Sequence, residues 1–222
     1  MGIATYGIPK EIVLELARLN GSTVFVETGT FHGETTRWAA KHFEAVHTIE
    51  RAQDLYDLHS KELARLGRVT PHLGDSREVL PRIVGEMGGR KAVYWLDGHW
   101  SGGQTAGEND ECPLLGELEC LSSRAEDLVL IDDARYFLCA PPRAYNPSEW
   151  PTIPDIINAL PKSVRDPFVQ ILDDVIFVVP DTDALRGCLV GYAQMRWEKL
   201  GKLQQGRGWL RLKGLIRKMV RR

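Results

Sequence analysis

The 222-residue chain reads as an α/β protein. The expected fold is a Rossmann-like, doubly wound, seven-stranded sheet, mostly parallel, with one antiparallel strand from a C-terminal hairpin. Two observations predict it. Short β-branched runs alternate with helical stretches from residue 9 to residue 131, the pattern of a parallel sheet covered on both faces by helices. Near the end, Phe168–Leu172 and Val175–Val179 are separated only by Asp173-Asp174, the spacing of a tight hairpin.

Each element has a local reason. Pro9–Asn20 carries Ile12, Leu16 and Leu19 among charged residues, and Gly21 is placed to end that helix. Thr23–Glu27 is a β-branched and aromatic run, hence a strand. Gly33–Phe43 returns to helix, Ala45–Glu50 to strand, and Asp54–Leu66 to helix. Val69–Leu73 is a third strand, followed by a helix from Ser76 to about Glu86. Ala92–Leu96 is a fourth, strongly apolar strand. A polar, glycine-rich loop then runs from Gly98 to Cys112. Pro113 opens a helix that reaches about Leu121. Leu128–Ile131 is a fifth strand. Cys139–Trp150 is proline-rich and irregular, and Ile153–Leu160 is helical.

Charge divides the chain. Residues 196–222 hold ten basic side chains and one acidic one, Glu198, whereas 1–195 hold 18 basic and 29 acidic. The expected organisation is a body, 1–195, and a basic tail, 196–222. An acidic body disfavours nucleic acid as a partner. No apolar run approaches the roughly 20 residues that span a bilayer, and the first ten residues lack a signal-peptide pattern, so the expected location is the cytoplasm. Cys112, Cys120, Cys139 and Cys188 form no CxxC pair and no zinc spacing, which predicts reduced thiols.

The strand ends carry the chemistry. Gly29 and Gly33 follow the first strand, where glycine lets backbone approach a ligand at a helix start. Glu27 can take an ammonium group, and Thr28, Thr30, Thr35 and Thr36 can hydrogen-bond a carboxylate. Glu50 ends the second strand and can accept both hydroxyls of a ribose. Gly74-Asp75-Ser76 ends the third: Asp75 can accept from an adenine amino group, and the Ser76 backbone can meet the ring. The glycine spacing is GxxxG, which is not the GxGxxG of nicotinamide-binding folds.

Glu27-Thr28-Gly29-Thr30-x-x-Gly33 resembles the first motif of class I S-adenosylmethionine-dependent methyltransferases, and Glu50 and Gly74-Asp75-Ser76 resemble the second and third. The resemblance covers roughly residues 20–180. It implies S-adenosylmethionine as cofactor and a sheet with one antiparallel strand.

Trp95-Leu96-Asp97-Gly98-His99 leaves the fourth strand, and Asp132-Asp133 leaves the fifth. Adjacent parallel strands bring these carboxylates together, a reasonable site for a hard divalent cation such as Mg2+. A cation would lower the pKa of an aliphatic hydroxyl, and His99 could take its proton. This pattern resembles the metal-dependent sugar O-methyltransferases. That resemblance implies Asp97, Asp132 and Asp133 as metal ligands, His99 as base with Asp97 beside it, and a sugar or glycoconjugate acceptor. Other readings of the same residues are a hydroxylase-like or phenol-methylating relative, and a cofactor-binding accessory protein without catalysis. Trp100–Glu111 is a candidate lid. Ser101-Gly102-Gly103 reads as a hinge or as a phosphate cradle.

Plotted at 100° per residue, 208–222 place Trp209, Leu212, Leu215, Ile216, Met219 and Val220 on one side. Arg211, Lys213, Arg217, Lys218, Arg221 and Arg222 fall on the other. Such a helix suits an anionic membrane surface, a protein partner, or the acidic body itself.

Overall fold

The computed structural model describes residues 7–102, 105–108, 110–139, 141–142, 144–162 and 166–219, with side chains described through residue 202. The chain divides into two units, Met1–Arg186 and Gly187–Arg222. The division precedes the charge break at 195.

In the first unit β1 (Val24–Thr28), β2 (Ala45–Glu50), β3 (Val69–Leu73), β4 (Ala92–Leu96) and β5 (Leu128–Ile131) run parallel. β6 (Phe168–Leu172) and β7 (Val175–Val179) complete the sheet in the order β3-β2-β1-β4-β5-β7-β6. β7 is antiparallel to both of its neighbours, so one strand is reversed, as the sequence predicts. Asp173 and Asp174 make the hairpin turn at φ 50 and φ 71. A two-residue turn that matches strand twist needs two left-handed residues, and aspartate tolerates that region better than most.

The helices are α1 (Lys10–Asn20), α2 (Glu34–Ala39), α3 (Gln53–Ala64), α4 (Ser76–Met87), α5 (Leu114–Cys120), α6 (Arg135–Leu138), α7 (Ile153–Ala159) and α8 (Asp183–Met219). α2 is shorter than its apolar pattern suggests, and α6 is a single turn the pattern does not announce. α8 begins well upstream of the amphipathic stretch at 208 and continues unbroken through Met219. All four cysteines are unbridged thiols.

β1 and β4 are buried at every position, as continuous apolar runs in a two-sided parallel sheet should be. Alternation sends neighbouring side chains to opposite faces. Phe25 meets Trp38 and Phe43, at centroid distances of 5.8 and 5.2 Å. Val24 and Val26 join Leu80 and Ile83 of α4 and Leu118 of α5 in the main core. Each such side chain contributes about 1.5–3 kcal/mol on burial. α4 contains Pro81, which has no N–H for the carbonyl four residues back. That carbonyl, on Arg77, instead accepts from the Cys120 thiol at 3.4 Å, tying α4 to the end of α5.

The strands align at their C-terminal ends: Thr28 pairs with Ile49 and Leu96, Glu50 with Leu73, and Leu96 with Ile131. One sheet edge therefore carries the residues that follow β1 to β5, with the order reversing between β1 and β4, where such sheets bind ligands.

Candidate active site

The turn after β1 is the tightest point on that edge. Gly29 has φ +79, and a Cβ built there would lie 2.2 Å from the Asp97 carbonyl oxygen. Any side chain at 29 would force the β1 and β4 loops apart. Thr28 reinforces the joint, because its Oγ1 accepts the Asp97 N–H at 3.1 Å. Gly33, at φ 71, starts α2 in the left-handed region.

A cavity of about 160 Å3 opens above this joint, lined by Gly29, Phe31, Glu50, Asp75, Ser76, Asp97, Gly98 and His99, with Thr105 and Ala106 from the long loop. Four of the expected cofactor residues thus reach the wall: Gly29, Glu50, Asp75 and Ser76. Glu27, Thr28, Thr30, Gly33 and Thr35 do not line it. Glu27 is 2% exposed. Its Oε2 accepts from Thr36 and, at 2.7 Å, from Thr48. Burial pushes the Glu27 carboxyl up to about 7 against these hydrogen bonds, with the nearby Glu50 charge adding to the rise. Thr30 bonds Thr48 at 2.6 Å, so the threonines form a layer behind the cavity.

Glu50 accepts the Phe31 N–H at 2.9 Å on Oε2 and the Ala52 N–H at 2.8 Å on Oε1. Each oxygen retains a lone pair. Asp75 caps α4, accepting from the Arg77 N–H at 2.9 Å, and the Arg77 guanidinium folds back onto both oxygens at 2.9 and 2.6 Å. The Arg77 hydrogen bond accordingly holds its carboxyl below the usual range. Asp75 lines the cavity beside Ser76, and its Oδ2 retains a lone pair.

Arg77 and Arg51 also clamp Asp110 of the long loop, at 3.2 Å each, with a second, closer Arg77 contact. The loop is closed at its base by Trp100 N–H to the Glu111 carbonyl, 2.7 Å. Buried Glu111 accepts from Asn146 N–H and Trp150 Nε1, fixing the loop to residues 146–150. Ser101 and Gly102 lie in this loop, and Gly103 is outside the described residues.

His99 lines the same cavity. Its side chain is 7% exposed, with Nε2 at 2.9 Å from Asp133 Oδ2 and Nδ1 at 3.7 Å from Asp97 Oδ1. Burial alone would push the imidazole down, but the Asp133 hydrogen bond and the charges of Asp97, Asp133 and Asp132 hold it above its ordinary value. Burial, then Asp132, raises Asp97 well above the carboxylate range. Asp132 rises to about 6, through burial and the neighbouring Asp133. Asp133 goes the other way: despite burial, His99 and Arg135 hold it down.

The carboxylates expected to hold magnesium meet at one place, but not as a ligand set. Among the described residues no group of three or more His, Cys, Asp or Glu side chains is arranged to hold a metal ion. Asp133, at φ 55, leads into α6. Its Oδ1 pairs with Arg135 at 2.7 Å while Oδ2 holds His99. Asp132 Oδ1 accepts the Asp133 N–H at 2.8 Å. Asp133 is thus engaged by protein groups on both oxygens, one of them the Arg135 cation, and Asp132 on one, although carboxylate oxygen is itself the donor a hard divalent ion prefers.

Residues that sequence reasoning missed complete the surroundings. Trp150 and Tyr136 lie edge-on to His99 at 5.4 and 6.2 Å, and Tyr145 packs on Trp100, Tyr136 and Trp150 at about 5.5 Å. Arg135 covers Tyr136 at 4.6 Å.

No family model and no curated protein matches this sequence. Solved structures do. The chain is similar to the O-methyltransferase TomG of Streptomyces achromogenes, involved in tomaymycin synthesis and solved in complex with SAM. The identity is 17%, over 79% of this chain and 81% of that one, with a TM-score of 0.51. A protein of Klebsiella pneumoniae assigned as an O-methyltransferase is 15% identical over 81% of this chain and 84% of its own, TM-score 0.50. One of Staphylococcus aureus assigned as a caffeoyl-CoA O-methyltransferase is 15% identical over 80% and 86%, TM-score 0.51. The chain therefore has the Rossmann-like fold of class I methyltransferases.

Proposed function

We propose that this chain is an S-adenosylmethionine-dependent O-methyltransferase. The observation that carries the reading is that His99, held by Asp133 from behind, lines the cavity that Gly29, Glu50 and Ser76 wall. The cofactor would supply a methyl group already activated by its sulfonium. The spare lone pairs of Glu50 accept ribose hydroxyls, bare backbone at Gly29 permits close approach, and the Ser76 backbone meets the base. With Nε2–H donated to Asp133, the His99 lone pair lies on Nδ1, on the side of Asp97. There it takes the proton of an acceptor hydroxyl as the oxygen is alkylated. Asp97, 3.7 Å from that nitrogen, faces the transferred proton.

The acceptor on this reading is a sugar or glycoconjugate hydroxyl. The partly exposed rings of Trp100, Tyr136 and Tyr145 beside His99 support it, because flat apolar faces suit the C–H face of a pyranose. Calorimetry should show 1:1 binding of S-adenosylmethionine, and labelled methyl should pass to a sugar hydroxyl in the presence of chelator. Absence of cofactor binding overturns the proposal, and turnover abolished by chelator returns the carboxylates to a metal role.

We propose further that the C-terminal segment meets an anionic membrane surface. The backbone of α8 stays helical through Met219, so the spacing of apolar and basic residues from 208 applies to a real helix. Val220, Arg221 and Arg222 lie outside the described residues. Among those described, no helix is long and apolar enough to cross a membrane. Deleting 208–222 should abolish cosedimentation with phosphatidylglycerol vesicles while sparing cofactor affinity. Undiminished cosedimentation ends the membrane reading.

A further inference from the structure

Glu117 has no part in the site so far. It lies on α5 and is 1% exposed, and its Oε1 is buried with no hydrogen-bond partner. It sits directly beneath the turn that delivers the base: a Cβ built on Gly98 would be 3.0 Å from Glu117 Oε1 and 3.2 Å from Thr28 Oγ1. Glu117 also lines a second cavity, of about 10 Å3, where it, His99 and Asp132 are the polar side chains among apolar ones such as Leu96, Leu114 and Ile131.

A buried carboxyl oxygen without a partner is costly. A cavity of roughly 10–15 Å3 is the least that holds one water, which needs two to four polar neighbours, and Glu117, His99 and Asp132 supply them here. The orphan oxygen and the cavity lie together, and the cavity also reaches His99 and Asp132. We propose that one ordered water occupies this second cavity, bound to Glu117 Oε1 and shared with the Gly98–His99 turn and Asp132. Glu117 is then a positioning residue: it acts through the water on the loop that aims His99, without touching acceptor or cofactor.

The surroundings agree with that role. Burial pushes the Glu117 carboxyl up, against hydrogen bonding by the Ser76 and Thr28 side chains and the His99 charge, with Asp75 adding to the rise. Arg77 packs against Gly116 on the same helix, its Cδ 2.7 Å from where a Cβ would be. Glutamine keeps a carbonyl oxygen for the water, and leucine does not.

This inference rests on the proposed methyl transfer for one arm of its test only. A high-resolution crystal structure of the wild-type protein should show a water about 2.8 Å from Glu117 Oε1. Glu117→Leu should lose the water and lower kcat about tenfold or more, with cofactor Kd changed less than about twofold, as expected for a misaimed base. Glu117→Gln should recover most of that loss. The proposal is overturned if the wild type shows no water at that place, if the leucine variant keeps full kcat, or if glutamine is as damaging as leucine. Should the leucine variant not fold, the wild-type water and the glutamine kcat still decide. A wild type that binds no cofactor and transfers no methyl group overturns the function instead, and leaves the crystallographic arm standing.

Discussion

His99→Asn is expected to lower turnover by about 10²–10⁴-fold, the range for loss of a positioned general base, with S-adenosylmethionine affinity little changed. Asparagine is too short to replace Nε2, so the 2.9 Å hydrogen bond to Asp133 is lost together with the imidazole. Asparagine has no basic lone pair to offer an acceptor hydroxyl. The pH dependence follows from the same contacts. The neutral imidazole is the base, so activity falls as pH drops through the His99 pKa. Asp133, Asp97 and Asp132 outweigh burial and hold that pKa above 6.5, so the acid limb of kcat/KM should have its midpoint above 6.5. Single-turnover transfer measured across pH checks both points. Equal turnover in the asparagine variant would remove His99 from the reaction.

Glu27→Gln is expected to stabilise the protein without ligand at pH 8 and to have no such effect at pH 4. Burial, ahead of any other influence, lifts the Glu27 carboxyl from 4.5 to about 7. Between those values the folded state binds more protons than the unfolded one, so stability declines as pH rises through that window. At about 1.4 kcal/mol for each tenfold change in the ionisation constant, the difference is on the order of 3 kcal/mol at pH 8. Thermal melts of both proteins from pH 4 to 8 should diverge as pH rises. If Glu27 receives the cofactor's ammonium, as its place in the motif implies, the same variant should bind S-adenosylmethionine about tenfold or more weakly, because a charge-assisted hydrogen bond is lost. Raised stability with weakened binding is the signature of a buried charge kept for function. Unaltered binding would confine Glu27 to the threonine layer behind the cavity.

The sheet was legible because its strands are short apolar runs that end in glycine or a carboxylate. Those endings align Glu50, Asp75, Asp97 and Asp132 along one edge wherever the strand order is the doubly wound one. What each carboxylate does there was not legible. Asp75 is engaged by Arg77, two residues on, and Asp133 by Arg135, also two residues on. An arginine at that spacing is a signal that could have been read. The left-handed φ of Asp133 has no such marker, since aspartate adopts it without glycine's help. Glu111 and Glu117 escaped notice for a different reason. Their partners lie far away in sequence, Glu111 reaching Asn146 and Trp150, and hydrophobic periodicity reports on an element's face, not on which distant chain covers it. Amphipathic spacing announces the last helix only from 208, and its upstream portion from Asp183 carries Gly187, Gly191 and Gly201, which weaken the helical signal.

The joint between Gly29 and the Asp97 carbonyl bears on how this architecture is inherited. Its geometry is main chain meeting main chain, with Thr28 alone adding a side chain. Such a cradle asks little of the genome: one residue without a side chain, and two strands laid next to each other. The flanking strands must stay apolar, buried as β1 and β4 are, but the joint itself names few residues. A shared fold at 17% identity is the scale of divergence that so lightly specified a floor tolerates, and it leaves the surrounding loops open to new acceptors.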